Sequence, residues 1–384
     1  MKLYLIVFSI LIYSINANSE EKKYTLKEYE KTPKTLSQVN RLAIKLQREM
    51  LVSKLHEILM AGRPSRFFGS AGNKKVKDKI IEMIDSSSPS NKATLELFDI
   101  KTDEIKKSYS ADFDKYLASG VSPGSEEAAN MRLFTESMLN VLDKAKEIKG
   151  ENIIWEKKGY LQPDEVLIIG VNYDTIAQDP KKFIVSGDGE MPGADNNATG
   201  VAAALSLIEV ASQVSIGKTL RVIFFDGEEL GQSGSKAYVE AHQEELSKLK
   251  VAGFINLLML GHDTVDKDLS KKSGNFRAYT RTSDENEKGA TIDLVLANYI
   301  SKVANKVRSS VEFTPTPRKD LFSSQKAFTD AQIPSVILTH DWENDFNTDH
   351  HTKQDFAETL NFSTFHNATQ AIIGSVLAWS FDMR

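Results

Sequence analysis

The chain has 384 residues, of which 41% are hydrophobic and 26% are charged, and its formal net charge at pH 7 is -5. This composition is typical of a globular protein, and the mild acidity gives no support to nucleic-acid binding, which usually requires a basic face. The absence of cysteine excludes disulfides, thiolate nucleophiles and zinc sites with cysteine ligands.

The N-terminus reads MKLYLIVFSILIYSINANSEEKK, in which Lys2 precedes an apolar run at residues 3–15 and small or polar residues follow. This order predicts a secretory signal peptide, residues 1–17, that is cleaved after Ala17. A membrane anchor is the alternative, but the run is shorter than the roughly 20 residues that span a bilayer. We therefore expect a secreted or periplasmic protein with no stable membrane span after cleavage.

The first part of the mature chain predicts helices, one strand and an insertion. Apolar residues recur at helical spacing over residues 36–60 and predict one long amphipathic helix. A second helix is predicted at residues 74–84, and the alternation in ATLELFDI predicts a strand at residues 93–100. Residues 104–150 are polar and carry the break SGVSPGS before an amphipathic stretch near residues 126–147. We interpret them as a helical insertion or an elaborated connection.

From residue 151 onward, strand patterns and helix patterns alternate. The predicted strands are NIIWEKKG, EVLIIGVNYD, TLRVIFFD, VAGFINLLML and PSVILTH, and the predicted helices are GVAAALSLIEVASQV, SKAYVEAHQEEL, ATIDLVLANYISKVANKV and residues 358–380. Such alternation predicts an α/β fold with a doubly wound, mostly parallel mixed sheet and helices on both faces. We expect one domain over residues 18–384.

Polar side chains follow several of these strands, and ligands of such sheets bind beyond the carboxyl ends of the strands. The strand-end residues are Asn172 and Asp174, the loop GADNNATG, Glu228 and Glu229, His262 and Asp263, and the segment HDWENDFNTDHHTKQD. Adjacent glutamates at a strand end point in opposite directions, so one can bind a metal while the other acts as a base. His262 and Asp263 are interpreted as solvated loop residues.

Five ordered segments carry a family resemblance: VLIIGVNYDT, GADNNATG, VIFFDGEELGQSGSKAY, INLLMLG and HHTKQD. They resemble the co-catalytic zinc aminopeptidase family of metallo-exopeptidases, which includes bacterial leucyl aminopeptidases, glutamate carboxypeptidases and glutaminyl cyclases. RFFGSAGNKKVKDKIIEMI is also similar to a family segment, so the resemblance covers most of residues 60–384. Residues 104–150 have no counterpart in it. The resemblance implies a zinc-exopeptidase-like fold and a peptide or protein as the partner.

Family members bind two zinc ions with five protein ligands, and the resemblance assigns each ligand to a position here. Glu229 and His351 keep two of the ligand types. Asn172 replaces a His, Asn196 replaces the bridging Asp, and Leu258 replaces a second Asp. Asparagine is a poor zinc ligand beside imidazole or carboxylate, and leucine offers no ligand atom. The resemblance therefore implies at most one zinc ion. His350 is an alternative ligand. The spacing to Thr352 and Asp355 favours His351 over His350.

The resemblance also gives Glu228 the role of general base and gives Asp174 the role of orienting the lost histidine ligand. A slip of the loop by one residue would make Asp195 a substitute ligand beside Glu229 and His351. Glutaminyl cyclases work with one zinc ion at this position. Their catalytic acids, however, correspond here to Leu258 and Ser324, which disfavours that activity.

Two functions follow from the retained and replaced positions. The count of lost ligands favours a catalytically impaired or non-catalytic relative that binds a peptide or a protein partner. The alternative is an active mono-zinc exopeptidase that hydrolyses N-terminal peptide bonds with Glu228 as the general base.

Overall fold

The computed structural model describes residues 32–179, 184–187, 189–264, 275–308, 310–319 and 321–383. The predicted signal peptide, residues 1–17, lies outside the described residues. Across the described ranges, none of the helices combines the length and the apolar character that crossing a membrane requires.

The helices and strands follow one another along the described chain. The helices are α1 Leu36–Ala43, α2 Arg48–Ala61, α3 Ala71–Ser87, α4 Thr102–Ala118, α5 Glu126–Ala145, α6 Gly200–Ser212, α7 Ser233–Ala241, α8 Gln243–Lys248, α9 Ser283–Val307, α10 Gln325–Asp330 and α11 Phe362–Ser380. The strands are β1 Thr94–Asp99, β2 Lys149–Lys157, β3 Gln162–Asn172, β4 Ala177–Asp179, β5 Ile184–Ser186, β6 Lys218–Phe225, β7 Lys250–Leu257, β8 Asn275–Thr280, β9 Glu312–Pro317 and β10 Ser335–His340.

A mixed sheet of eight strands, in the order β1-β2-β6-β3-β7-β10-β8-β9, forms the centre of the fold. Its central strands β6, β3, β7 and β10 run parallel. Antiparallel pairs join β1 to β2, β2 to β6, and β10 to β8. Strand β6 is buried along its whole length, as its continuous apolar sequence predicts for a central parallel strand. The mostly parallel mixed sheet of the sequence prediction is thus confirmed.

Helices cover both faces of the sheet, and strand β3 shows how the sequence separates the two faces. Leu167, Ile169 and Val171 pack into the large core that contains α2, α3, α6 and α11. The alternating residues Val166 and Ile168 pack on the opposite face, against α7, α8 and α10. This division follows from the two-residue period of a strand, and it confirms that both faces are covered.

The prediction of one long helix at residues 36–60 is wrong, because the chain breaks between α1 and α2. His366 donates to the carbonyl of Leu46 at 2.7 Å, and Gln370 donates to the same carbonyl at 2.7 Å. Both side chains come from α11. The carbonyl that a continuous helix would use internally is therefore taken by a distant helix, which no local pattern announces.

The insertion is helical, as predicted, and its two helices α4 and α5 pack against each other. Only α5 had a clear pattern in the sequence. Strands β8 and β9 were also missed. Strand β9 reads EFTPTP and lies at the sheet edge, where proline is tolerated because the lost N–H has no ladder partner.

The order of the strands places a crevice at the end of β3. From β3 the chain passes through α6 to β6 on one side, and then through α7 and α8 to β7 on the other side. Such a reversal separates the connections and opens a ligand crevice at the carboxyl ends of the strands. Asn172, the last residue of β3, therefore lies at the position where a ligand is expected.

Gly72 tests the packing of α3 against the turn that leads into this crevice. A Cβ on Gly72 would lie 2.2 Å from the carbonyl oxygen of Ser65 and 2.5 Å from that of Gly62. Alanine normally stabilises a helix by about 1 kcal/mol relative to glycine. Backbone atoms cannot rotate away, so we expect Gly72→Ala to lower the free energy of unfolding in urea by about 1–3 kcal/mol. Gly124→Ala is the control, because a Cβ there meets nothing within 4 Å. Equal effects of both substitutions would contradict this packing.

Candidate functional site

Asp174 connects the end of β3 to the turn that follows β6. Its two carboxylate oxygens accept the backbone N–H groups of Glu228 and Glu229, each at 3.1 Å. The side chain is fully buried. Burial, and then the charges of Glu229 and Asp226, raise the pKa of Asp174 well above its usual value. The predicted orienting residue is therefore placed at the site, where it fixes the position of the two glutamates.

Glu228 lies at the site with both carboxylate oxygens hydrogen-bonded to Ser324. The N–H of Ser324 donates to Oε1 at 2.7 Å, and its hydroxyl donates to Oε2. Burial raises the pKa of Glu228 to about 7, against the lowering effect of the Ser324 hydroxyl, and the charge of Glu229 adds to the rise. The predicted base thus has a pKa suited to proton transfer, but each of its oxygens already accepts a hydrogen bond from Ser324.

Glu229 and His351, the two retained ligand positions, bind each other. His351 Nε2 lies 2.9 Å from Glu229 Oε2, and Asn196 Nδ2 donates to Glu229 Oε1 at 3.0 Å. Burial alone would lower the pKa of His351, but the Glu229 carboxylate raises it above the usual value. The orientation of the Asn196 amide follows from charge, since its oxygen would be repelled by the carboxylate. Glu229 is therefore satisfied by protein groups at both oxygens.

Asn172 is bonded to Asn197, a residue that sequence reasoning missed. Asn197 Nδ2 donates to Asn172 Oδ1 at 2.9 Å and to the carbonyl of Leu257 at 2.8 Å. Asn197 Oδ1 accepts the N–H of Met259 at 3.1 Å. The second asparagine of DNN was the available signal, but its partners lie on two other strand ends. The Asn172 oxygen thus faces a protein donor.

Leu258 is 8% exposed and belongs to an apolar cluster with Met259, Tyr279, Leu321 and Ile337. Its N–H donates to the carbonyl of Leu338 at 3.1 Å, which extends the pairing of β7 with β10 by one residue. The position assigned to the second aspartate ligand is therefore part of a small hydrophobic core. A carboxylate there would need to leave this cluster to reach a metal.

Asp195, the predicted substitute ligand, uses its carboxylate elsewhere. Oδ1 accepts the N–H of Gly261 at 2.7 Å, and Oδ2 accepts from Asn347 Nδ2 at 3.0 Å. The backbone N–H groups of Asp195 and Asn196 donate to Asp355 at 2.8 and 3.0 Å. The structure therefore does not place this carboxylate with Glu229. Within the described ranges, no three His, Asp or Glu side chains are grouped to hold one metal ion.

Arg66, which sequence reasoning also missed, lies beneath the loop that carries Asn196. Its guanidinium donates to the carbonyls of Tyr173 at 2.8 Å, Pro192 at 2.7 Å and Gly193 at 2.9 Å. The side chain is 1% exposed. Burial lowers the pKa of Arg66 to about 10, against the opposing charges of nearby carboxylates. Arg66 thus provides the positive charge beneath a group of buried carboxylates.

The remaining histidines do not join the pair of Glu229 and His351 as further metal ligands. His350 stacks on the His351 ring with centroids 3.6 Å apart, and burial lowers the pKa of His350 well below its usual value. His262 is not a solvated loop residue as expected, because it is largely buried and contacts Asp345 at 3.1 Å. Asp263 was also expected to be solvated, but it accepts the Thr364 hydroxyl at 2.7 Å.

The donor set does not fit a zinc ion as it stands. Catalytic zinc normally has three protein ligands drawn from imidazole, thiolate and carboxylate. Glu229 and His351 are the two suitable groups in the centre of the cleft, and they are bonded to each other. Asn172 and Asn196 surround them with amide groups that are hydrogen-bonded within the protein.

Comparison with known sequences gives a family for this chain. The sequence model of peptidase family M28 matches residues 152–376. A relative described as a probable zinc metalloprotease of Pyricularia oryzae is 23% identical over 261 residues, which are 61% of this chain and 50% of the relative. The chain therefore spans about half the length of that relative.

Solved structures of similar fold include two bacterial exopeptidase-fold proteins. The LapA aminopeptidase of Legionella pneumophila superimposes with a TM-score of 0.60 at 15% identity, over 96% of this chain and 79% of that chain. The Bacteroides thetaiotaomicron glutaminyl cyclase, bound to N-acetylhistamine, superimposes with a TM-score of 0.59 at 14% identity, over 86% and 97%. Likeness at such low identity concerns the fold.

The three carbonyls bonded to Arg66 provide a test of whether this side chain supports the loop that carries Asn196. Arg66→Met keeps much of the side-chain volume but leaves buried carbonyls of Tyr173, Pro192 and Gly193 without their donor. Each unsatisfied buried group costs about 1–3 kcal/mol, so we expect unfolding in urea to lose at least about 3 kcal/mol. Arg63→Met is the matched control, because Arg63 is exposed. A similar small loss in both variants would show that Arg66 does not support the loop.

Proposed function

The chain belongs to peptidase family M28, and from that premise we propose that it is an exported, non-catalytic member that binds a peptide or protein in its cleft. The family resemblance carried by the sequence motifs is confirmed by this membership, and the fold is that of aminopeptidases. One observation carries the proposal. Asn196 donates an N–H to Glu229 at the position assigned to the bridging zinc ligand, while His351 occupies the other oxygen of Glu229.

The energetics of the cleft support absence of catalysis. Zinc binding at this site would require His351 to leave Glu229 and would require the Asn196 amide to turn away. A third ligand from Asp195 would also require the loss of its bonds to Gly261 and Asn347. Each buried group left unpaired costs about 1–3 kcal/mol. The present hydrogen bonds therefore oppose a metal by several kcal/mol.

The ligand and the location are proposed on separate grounds. Peptides are the substrates of the family, and the crevice at the end of β3 is where this type of sheet binds ligands. Export is proposed from the basic, apolar and small-residue order of the first 17 residues. These two parts of the proposal do not depend on whether a metal binds.

An active mono-zinc exopeptidase is the second candidate, and one observation favours it. Glu228 is retained, and its pKa of about 7 suits a general base. Against this candidate, Ser324 donates to both oxygens of Glu228. The two candidates differ in metal content and in turnover.

Metal content and turnover are the direct test of the proposed function. After dialysis against zinc and then against buffer, we expect the purified protein to retain less than stoichiometric zinc. We also expect no hydrolysis of aminoacyl nitroanilides with added zinc or cobalt, because the donor set lacks a third ligand. A bacterial leucyl aminopeptidase treated in parallel is the positive control. Stoichiometric zinc that is lost in Glu229→Ala, together with turnover, would refute the proposal in favour of the mono-zinc enzyme.

Reversion of the replaced positions asks whether ligand loss alone removed the metal. We expect the triple variant Asn172→His, Asn196→Asp, Leu258→Asp to unfold at a lower temperature than the parent without zinc, because Leu258 lies in an apolar cluster. Zinc at a hundred times its Kd would then stabilise the variant by about 2.7 kcal/mol. Thermal unfolding with and without zinc, and metal analysis, measure both effects.

The matched control for the reversion replaces the same three positions, Asn172, Asn196 and Leu258, with alanine. It loses the same hydrogen bonds and apolar contacts but gains no ligands, so zinc should not raise its unfolding temperature. If the His/Asp/Asp variant also fails to bind zinc, simple ligand loss is the wrong account, and surrounding residues such as Asn197 and Asn347 have reshaped the cavity.

A further inference from the structure

His340, the last residue of β10, has both ring nitrogens engaged by backbone groups with fixed roles. Nδ1 lies 3.1 Å from the carbonyl oxygen of Met259, which can only accept a hydrogen bond. The backbone N–H of Asn347 donates to Nε2 at 3.2 Å. Nδ1 therefore carries the proton and Nε2 carries the lone pair. These two bonds require a neutral ring, because a proton on Nε2 would face another N–H.

Asn347 connects this histidine to the loop that precedes α6. Residues 341–351 follow β10, and we call them the β10 loop. The side-chain Nδ2 of Asn347 donates to Asp195 Oδ2 at 3.0 Å. Its Oδ1 accepts the N–H of Asp349 at 3.0 Å, and its carbonyl accepts the N–H of His350 at 3.1 Å. The position of Asn347 thus sets both the internal bonds of the β10 loop and its contact with Asp195.

The charged and titratable groups that face His340 come from three segments. Asp195 lies in the loop before α6, His262 follows β7, and Asp345 and His350 belong to the β10 loop. The ring centroids of His262 and His340 are 5.1 Å apart, and His262 Nε2 lies 3.1 Å from Asp345 Oδ1. Burial lowers the pKa of His340, against the opposing charge of Asp195. The ring is therefore neutral at neutral pH and gains a proton in acid.

We propose that His340 is an acid-sensitive switch that releases the β10 loop from Asp195. A proton from the solvent turns Nε2 from an acceptor into a donor, so its bond from the Asn347 N–H is lost. The Asp195 carboxylate, whose charge already acts on the ring, can accept the new N–H in place of Asn347 Nδ2. The β10 loop also carries His351, so its release changes the side of the cleft that faces Glu229. This switch does not depend on what the cleft binds.

The sign of the effect on stability follows from the lowered pKa of His340. An unfolded histidine has a pKa of about 6.5, so below that pH the unfolded chain binds more protons than the folded chain. The contribution of His340 to stability is therefore complete above about pH 6.5 and declines as the pH falls. Burial raises the pKa of Glu228 and of Asp355 to about 7, and protonation of these carboxyls has the opposite sign. Variants are therefore needed to isolate the effect of His340.

Hydrogen exchange of the whole protein, followed by mass spectrometry, measures release of the β10 loop. Protection factors are compared at about pH 7.5 and about pH 5, on either side of the usual histidine pKa. We expect protection of the peptide that covers residues 344–350 to fall at least about fivefold in acid, because the Asn347 N–H loses its acceptor. The buried helix α6 should keep its protection. An unchanged β10 loop, or an equal fall in both segments, would overturn the inference.

His340→Gln removes the titration and keeps both hydrogen bonds, because an amide can donate to Met259 and accept from Asn347 at any pH. We expect this variant to keep the protection of the β10 loop in acid. His366→Gln is the matched control, since burial also lowers the pKa of His366, which contacts the distant carbonyl of Leu46. We expect His366→Gln to respond to acid as the parent does. A response that survives in His340→Gln would assign the release to another group and refute the switch.

Titration of the parent protein by NMR gives a second measurement that needs no variant. The chain has seven histidines, and the ring signals of His340 are identified by their proximity to the Asn347 N–H. We expect His340 to titrate below the usual histidine value of about 6.5, with the same midpoint as the loss of protection in the β10 loop. A midpoint for His340 at or above that value, or separate midpoints for the ring and the loop, would contradict the proposal.

Discussion

The buried carboxylate of Asp174 is the constraint on which the cleft depends. It holds the N–H groups of Glu228 and Glu229 at once, so it fixes the turn after β6 against the end of β3. The resemblance implies that an aspartate at this position orients a histidine ligand. This chain has Asn172 at the position of that histidine. The backbone bonds explain why an aspartate remains useful without the histidine. Without it, two buried N–H groups would lose their acceptor, and the turn that carries both glutamates would lose its position.

The residues at the assigned ligand positions lower the negative charge of the site. A pair of zinc ions balances the carboxylates around it, and those carboxylates would be buried without compensation if the metals alone were removed. Here Asn196 and Leu258 stand at two positions that the resemblance assigns to aspartate. Glu229 pairs with His351, and the Glu229 carboxylate raises the pKa of that histidine. In the described structure, hydrogen bonds within the protein engage the groups at the positions that the resemblance assigns to metal ligands.

Sequence patterns predicted what depends on local periodicity and on family motifs. The buried parallel strands followed from continuous apolar runs, and the motifs identified Glu228, Glu229, Asn172 and His351, which the structure brings into one cleft. The resemblance placed Ser324 at the site, but its bonds to Glu228 were not predictable, and neither were the roles of Asn197 and Arg66, because these residues reach the site only through the tertiary fold. The same reason applies to the break between α1 and α2, where side chains of α11 take a carbonyl more than 300 residues away in sequence.

The turn after β6 contributes to two surfaces, a polar cleft and a more apolar cavity. Its first residues, Glu228 and Glu229, face a cleft in which each of their carboxylate oxygens already has a partner, from Ser324, Asn196 or His351. Its next residues lead to Ala237 and the apolar cavity beside the insertion. The same turn therefore ties the packing of the insertion, through Leu230, to the position of the two glutamates.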